Sequence, residues 1–197
     1  MLPDPGFHRG DDFLRSHEDL REREDTMKGS KGAAGARAAK DGATDFDQLV
    51  GVISDTHGHL RGEGIKAFER VDLIIHAGDI GGPDILEALH GIAPVYAVRG
   101  NMDTGSWARE LPETQVVEVG EALLYVIHDA HDLDLDPETA GFSAVISGHT
   151  HRPLIDRQRG ILFLNPGTAG PFRSRATVAL LRVRGKSLHA ELLELTP

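Results

Sequence analysis

Three short apolar runs separated by helix-sized intervals constrain this chain more than any other feature. Leu49 to Ser54, Asp72 to Ala77 and Pro94 to Arg99 read as strands, with helices over Leu60 to Arg70 and over Pro83 to His90, the second opened by proline. The strands are nearly continuous in apolar residues, as parallel strands covered on both faces should be, so residues 49–99 form a βαβαβ unit. Beyond it strands dominate. Thr114 to Val119, Ala122 to His128, Ala144 to Ser147, Ile161 to Leu164, Thr177 to Val183 and Ser187 to Leu195 are short runs joined by turns such as Gly120-Glu121 and Arg184-Gly185-Lys186.

The first 46 residues differ. They hold GAAGARAAKDGA and RERED and lack apolar periodicity, which predicts a disordered extension at 1–46 ahead of a folded body at 47–197. With 10 acidic against 8 basic residues the extension is almost balanced, so the body carries most of the net charge of -10. That charge argues against bulk nucleic-acid binding. The chain has no cysteine, which removes disulfides, thiolate zinc sites and cysteine nucleophiles together. No run approaches the roughly 20 apolar residues of a membrane span, and the amino terminus shows no secretory signal, so a cytoplasmic protein without a membrane partner is expected.

Chemistry gathers at strand ends. The first strand runs into Asp55 and His57, the second into Gly78-Asp79, the third into Gly100-Asn101, a later one into His128, and Ala144 to Ser147 into Gly148-His149-Thr150-His151. Carboxyl ends of strands are where α/β sheets keep their ligands. Imidazole, carboxylate and amide groups without thiolate suit manganese, iron, cobalt, nickel or zinc and admit magnesium; manganese is the expected ion, although ligand type does not choose among them. Asp55, His57, Asp79, Asn101, His128, His149 and His151 are too many donors for one ion that also keeps a position for water. They suit two divalent ions sharing a carboxylate, about 3.5 to 4 Å apart, and Asp79, central in order, is the natural bridge.

The ordered set DTH at 55–57, GD at 78–79, GN at 100–101, His128 and GHTH at 148–151 resembles the calcineurin-like metallophosphoesterases over roughly residues 47–195. VRGNMD at 98–103 and NPGT at 165–168 are similar to segments of the small YfcE-type phosphodiesterases of bacteria and archaea. The resemblance implies an α/β (α+β) fold, a four-layer αββα sandwich of two mixed β-sheets with the site at one edge. It implies that Asp55, His57 and His151 hold one metal, that Asn101, His128 and His149 hold the other, and that Asp79 bridges them. A bridging hydroxide would attack a phosphodiester in line, with Asp79, Asn101 and His149 as the candidate catalytic residues. The chain departs from the family pattern twice. Met102 and Asp103 follow Asn101 where many members have a histidine that serves the leaving group. IHDAH places Asp129 where glycine is usual, a change expected to narrow the pocket, reject anionic monoesters or alter metal preference.

Each of the other conspicuous residues has a plain reading. His76 either orients Asp79 or is a satisfied histidine at a strand end. His59, His90, His131 and His189 read as surface residues and Trp107 as core or interface. Asn165 and NPGT read as a turn that closes a strand. Arg173 and Arg175 either contact a substrate phosphate or solvate a loop. Two rivals to a phosphodiesterase acting on a small ester follow. One is a phosphomonoesterase for a nucleotide or sugar phosphate, which requires a basic pocket. The other is a scaffold resembling the retromer small subunit, which requires an exposed apolar patch. A homo-oligomer is compatible with either.

Overall fold

The structure, a computed structural model, describes residues 48–170 and 175–196. The expected extension at 1–46 lies outside them. Ten strands form two mixed five-stranded sheets. In the first, β1 (Gln48–Ile53), β2 (Leu73–His76) and β3 (Val95–Ala97) run parallel, while β9 (Thr177–Arg184) and β10 (Ser187–Glu194) add antiparallel beside β1 in the order β10-β9-β1-β2-β3. The second comprises β4 (Thr114–Val119), β5 (Ala122–Ile127), β6 (Ala144–Ile146), β7 (Leu154–Gln158) and β8 (Ile161–Asn165) in the order β4-β5-β6-β8-β7. There β5, β6 and β8 are parallel and the two edge strands antiparallel.

Alternation along each strand builds three layers of packing. Val50, Val52, Leu73 and Ile75 of the first sheet meet Leu124, Val126, Ile146 and Leu164 of the second in a continuous core. The intervening Ile53 and Ile74 turn outward beneath α1 (Gly62–Ala67) and α2 (Pro83–His90), against Phe68, Ile85 and Leu89. On the far face of the second sheet, Tyr125, Ile127, Val145 and Ile161 are covered by Leu133, Leu135 and Phe142 from the segment between β5 and β6. The cover on that side is irregular chain with one short 3-10 turn, Ala130–Asp132. Strands buried on both faces explain why the runs read as continuous rather than alternating. Each fully buried Val, Leu or Ile contributes roughly 1.5–3 kcal/mol.

The βαβαβ unit and the second half's strands appear as expected, with two differences. The first helix spans Gly62–Ala67 rather than Leu60 to Arg70, with Arg61 as a cap that makes no side-chain hydrogen bond. Glycines at 62 and 64 each weaken a helix by about 1 kcal/mol relative to alanine, so one and a half turns survive on packing. The sequence reading also has no strand at β7. That edge strand is polar and mostly exposed, without an alternation to read, and is joined to β8 by a turn in which Arg159 and Gly160 both have positive φ.

Candidate metal centre

The carboxyl ends of β1, β2, β3, β5 and β6 meet at one edge of the two sheets, and each delivers part of the expected set. Pairing continues past the strand ends: the Asp55 amide donates to the Gly78 carbonyl and the His57 amide to the Asp79 carbonyl, both at 3.0 Å. The Gly148 amide donates to the His128 carbonyl at 2.9 Å and joins the two ends of the second sheet's contribution. A Cβ on Gly100 would lie 2.1 Å from Asp79 Oδ1, and one on Gly148 would lie 1.9 Å from Ser54 Oγ. Both loops pass too close for any side chain.

The loops turn on the functional residues themselves. Asp55, His57, Asp79, His149 and His151 have φ between 47° and 66°. The left-handed region costs a non-glycine residue about 1–2 kcal/mol, and its repeated use at converging polar side chains is the kind of strain that collects at functional sites.

All seven expected residues come together. Ligand atoms of Asp55, His57, Asp79 and His151 lie within 4.8 Å of one another. Asp55 Oδ1 stands 3.2 Å from His151 Nε2, and Asp79 Oδ2 stands 3.8 Å from His57 Nε2. The other Asp79 oxygen is 3.5 Å from His128 Nε2. Asn101 Oδ1 completes a second group, 3.0 Å from both His128 Nε2 and His149 Nδ1. Asp79 therefore faces both groups, one oxygen to each.

The donor set fits divalent cations on two observations. Asp55 is fully buried, and its Oδ1 accepts no hydrogen bond while its Oδ2 takes the Ser54 hydroxyl. His128 Nδ1 lies 2.7 Å from the Ala77 carbonyl, which only accepts, so a neutral His128 carries its proton there. Its bare Nε2 then faces the oxygens of Asn101 and Asp79, so acceptors converge there, an arrangement that a cation suits.

Electrostatics records the same strain. Burial pushes the Asp55 carboxyl above its ordinary range despite the Ser54 hydrogen bond and the neighbouring His128 and His151. Burial acts on Asp79 in the same sense, but His128 and the Met102 amide outweigh it and hold that carboxyl low. His128 is raised, since Asp79 and the Ala77 carbonyl overcome its own burial.

Several residues hold the loops without joining the cluster. Asp103, buried in the GNMD segment, accepts from the Gly81 and Gly100 amides at 2.9 Å each and ties the GD loop to the GN loop. The NPGT segment does more than close a strand. Thr168 Oγ1 and the Gly170 amide both donate to the Asp55 carbonyl, and Asn165 Nδ2 donates to the Gly148 carbonyl at 2.6 Å. His76 donates from Nε2 to Thr56, whose hydroxyl is committed to the Ile80 carbonyl; its buried Nδ1 has no partner, and burial, with the charge of His128, lowers its pKa to about 3. It thus steadies Thr56 rather than Asp79. His59, His90, His131 and His189 are exposed, and Trp107 packs on the core beneath the helices. Arg175 pairs with Glu194 at 2.9 Å, and Arg173 lies outside the described residues. These long-range hydrogen bonds leave no signature in spacing.

A cleft of about 530 Å³ opens beside Asn101, His128 and His149. Asp129, Asp132, Asp134 and Glu113 line it, and the one cation that lines it among the described residues, Arg99, is bonded to Glu113.

Residues 49–186 match the calcineurin-like phosphoesterase superfamily domain. A probable metallophosphoesterase of Methanothermobacter thermautotrophicus is 38% identical over 158 residues, covering 74% of this chain and 91% of the relative. Among solved structures, an archaeal phosphodiesterase superposes with a TM-score of 0.62 at 25% identity, covering 74% of this chain and 99% of the other. The zinc complex of Vps29 from Entamoeba histolytica shares the fold, with a TM-score of 0.61 at 21% identity over 75% of this chain and 99% of its own.

Proposed function

Because this chain belongs to the calcineurin-like phosphoesterase superfamily, we propose that it is a phosphodiesterase whose body, residues 47–197, holds two divalent cations and hydrolyses a small phosphodiester. The carrying observation is the pair of donor groups that share Asp79. Asp55, His57 and His151 would hold one ion and Asn101, His128 and His149 the other, with manganese expected at both. Divalent ions held there would lower the pKa of water and withdraw charge from the phosphoryl oxygens.

The chain's own residues do the rest. Asp79, fixed by the Met102 amide at 2.8 Å, keeps its carboxylate turned to both groups. Asn101 and His149 stand on the side that meets the cleft, where the ester would enter. Met102 is 61% exposed and offers no proton to a leaving oxygen, so esters with good leaving groups should react best.

The acidic cleft supports a diester over a monoester, because a dianion would face four carboxylates and one neutralised arginine. A scaffold reading finds less support. Exposed large apolar side chains among the described residues are spread over α1, β3, the loop after Asn101, β4 and β7 rather than along one element.

The test is hydrolysis of bis-p-nitrophenyl phosphate beside p-nitrophenyl phosphate by chelator-stripped protein reloaded in turn with manganese, nickel, cobalt, zinc and magnesium. Diester turnover restored by manganese is expected. Faster monoester turnover would overturn the diester assignment, and silence with both substrates despite bound metal would favour the scaffold.

A further inference from the structure

The two histidines of the Asn101 group are oriented by different means. His128 is set by a backbone carbonyl, that of Ala77, and presents Nε2. His149 presents Nδ1, 3.0 Å from Asn101 Oδ1, and turns Nε2 the other way, where Asp129 Oδ2 lies 3.4 Å from it. The second Asp129 oxygen is already committed, accepting from the His131 amide at 3.0 Å and lying 2.8 Å from His131 Nδ1. The carboxylate is thus held by the 3-10 turn with one oxygen left for His149.

A neutral imidazole carries one proton, and here two acceptors compete for it. Proton on Nδ1 satisfies Asn101 but blocks the lone pair that a cation requires; proton on Nε2 satisfies Asp129 and leaves Nδ1 open. The Asp129 carboxylate is charged and the Asn101 amide is not, so across 3.4 Å it still attracts the imidazole N–H more strongly than the amide oxygen does.

We propose that Asp129 is a positioning residue that holds His149 as its Nε2–H tautomer and thereby sets the cation affinity of the Asn101–His128–His149 group. This rests on the reading that the group holds an ion. It also gives a role to a cleft carboxylate that the seven converging donors do not include.

Two measurements on the full-length protein separate this proposal from its premise. The first is the long-range imidazole 15N–1H spectrum of metal-free protein at alkaline pH. Wild type should show His149 protonated on Nε2, and Asp129→Ala should move the proton toward Nδ1; an unchanged tautomer overturns the proposal whatever the metals do. The second is calorimetric titration with manganese. Asp129→Ala should leave one ion bound as in wild type and weaken the other by roughly 10–100-fold, the usual effect of losing such a partner. Asp129→Ser, which can still cap the His131 amide but is too short to reach His149, should bind as weakly as the alanine variant. Wild-type affinity in the serine variant would show that Asp129 only caps the turn and overturns the proposal. Fewer than two ions on wild type would defeat the two-ion reading, while the spectrum would still decide the tautomer.

Discussion

The two halves of the site are built differently. Around Asp55, His57 and His151 the fold supplies the positions: Asp55 is wholly buried, its amide and carbonyl are bonded to Gly78, Thr168 and Gly170, and three residues of the group are locked in left-handed backbone. Around Asn101, His128 and His149 the cleft begins. The His149 side chain is 41% exposed and Asn101 is exposed, and beside the Ala77 carbonyl that meets His128, the Asp103 and Asp129 side chains support the loops. The first half is buried and fixed through its backbone, and the second borders the cleft. Asp79 joins them.

Removing that join should have the largest effect. Asp79→Ala should abolish tight binding of both manganese ions and lower diester turnover by more than the roughly 100-fold that an outer hydrogen-bond partner contributes. Calorimetry and a bis-p-nitrophenyl phosphate assay check this, and retention of either ion at wild-type affinity would mean that the halves are independent.

Gly148→Ala attacks the first half through packing. The new Cβ would collide with Ser54 beside Asp55, so metal-free protein should lose about 1–3 kcal/mol in urea unfolding. An unchanged midpoint would show that the loop has room to move.

Acidification probes the layer beneath. His76 titrates near 6.5 in the unfolded chain and at about 3 in the folded one, so between these values the unfolded chain binds an extra proton. Its contribution to stability is complete above pH 6.5 and is lost as pH falls toward 3, with a limiting slope of about 1.4 kcal/mol per pH unit. His76→Gln should flatten the stability profile of metal-free protein between pH 6 and 4; equal slopes would contradict a buried neutral histidine. Arg175→Ala should do least, changing stability by less than about 0.5 kcal/mol and leaving diester KM alone, because the side chain is exposed and paired with Glu194.

The contrast between the halves also explains what was legible in the sequence. Strands β1, β2 and β5 lie between two apolar layers, so their runs announce themselves, whereas β7 lies at an edge with polar side chains and has no pattern. The seven converging residues were readable because each follows a strand end in a fixed order. Their supports were not. Thr168 reaches Asp55 across 113 residues and Asp103 reaches Gly81 across 22, contacts that only the folded topology creates. The left-handed backbone at Asp55, His57, Asp79, His149 and His151 was equally hidden, because nothing in the sequence marks a non-glycine residue for that conformation.

The most direct measurement is anomalous diffraction from crystals of the manganese-loaded protein at the manganese absorption edge. The account predicts two peaks, one among Asp55, His57 and His151 and one among Asn101, His128 and His149, with an Asp79 oxygen on each. A single peak, or two peaks that do not share Asp79, would contradict it.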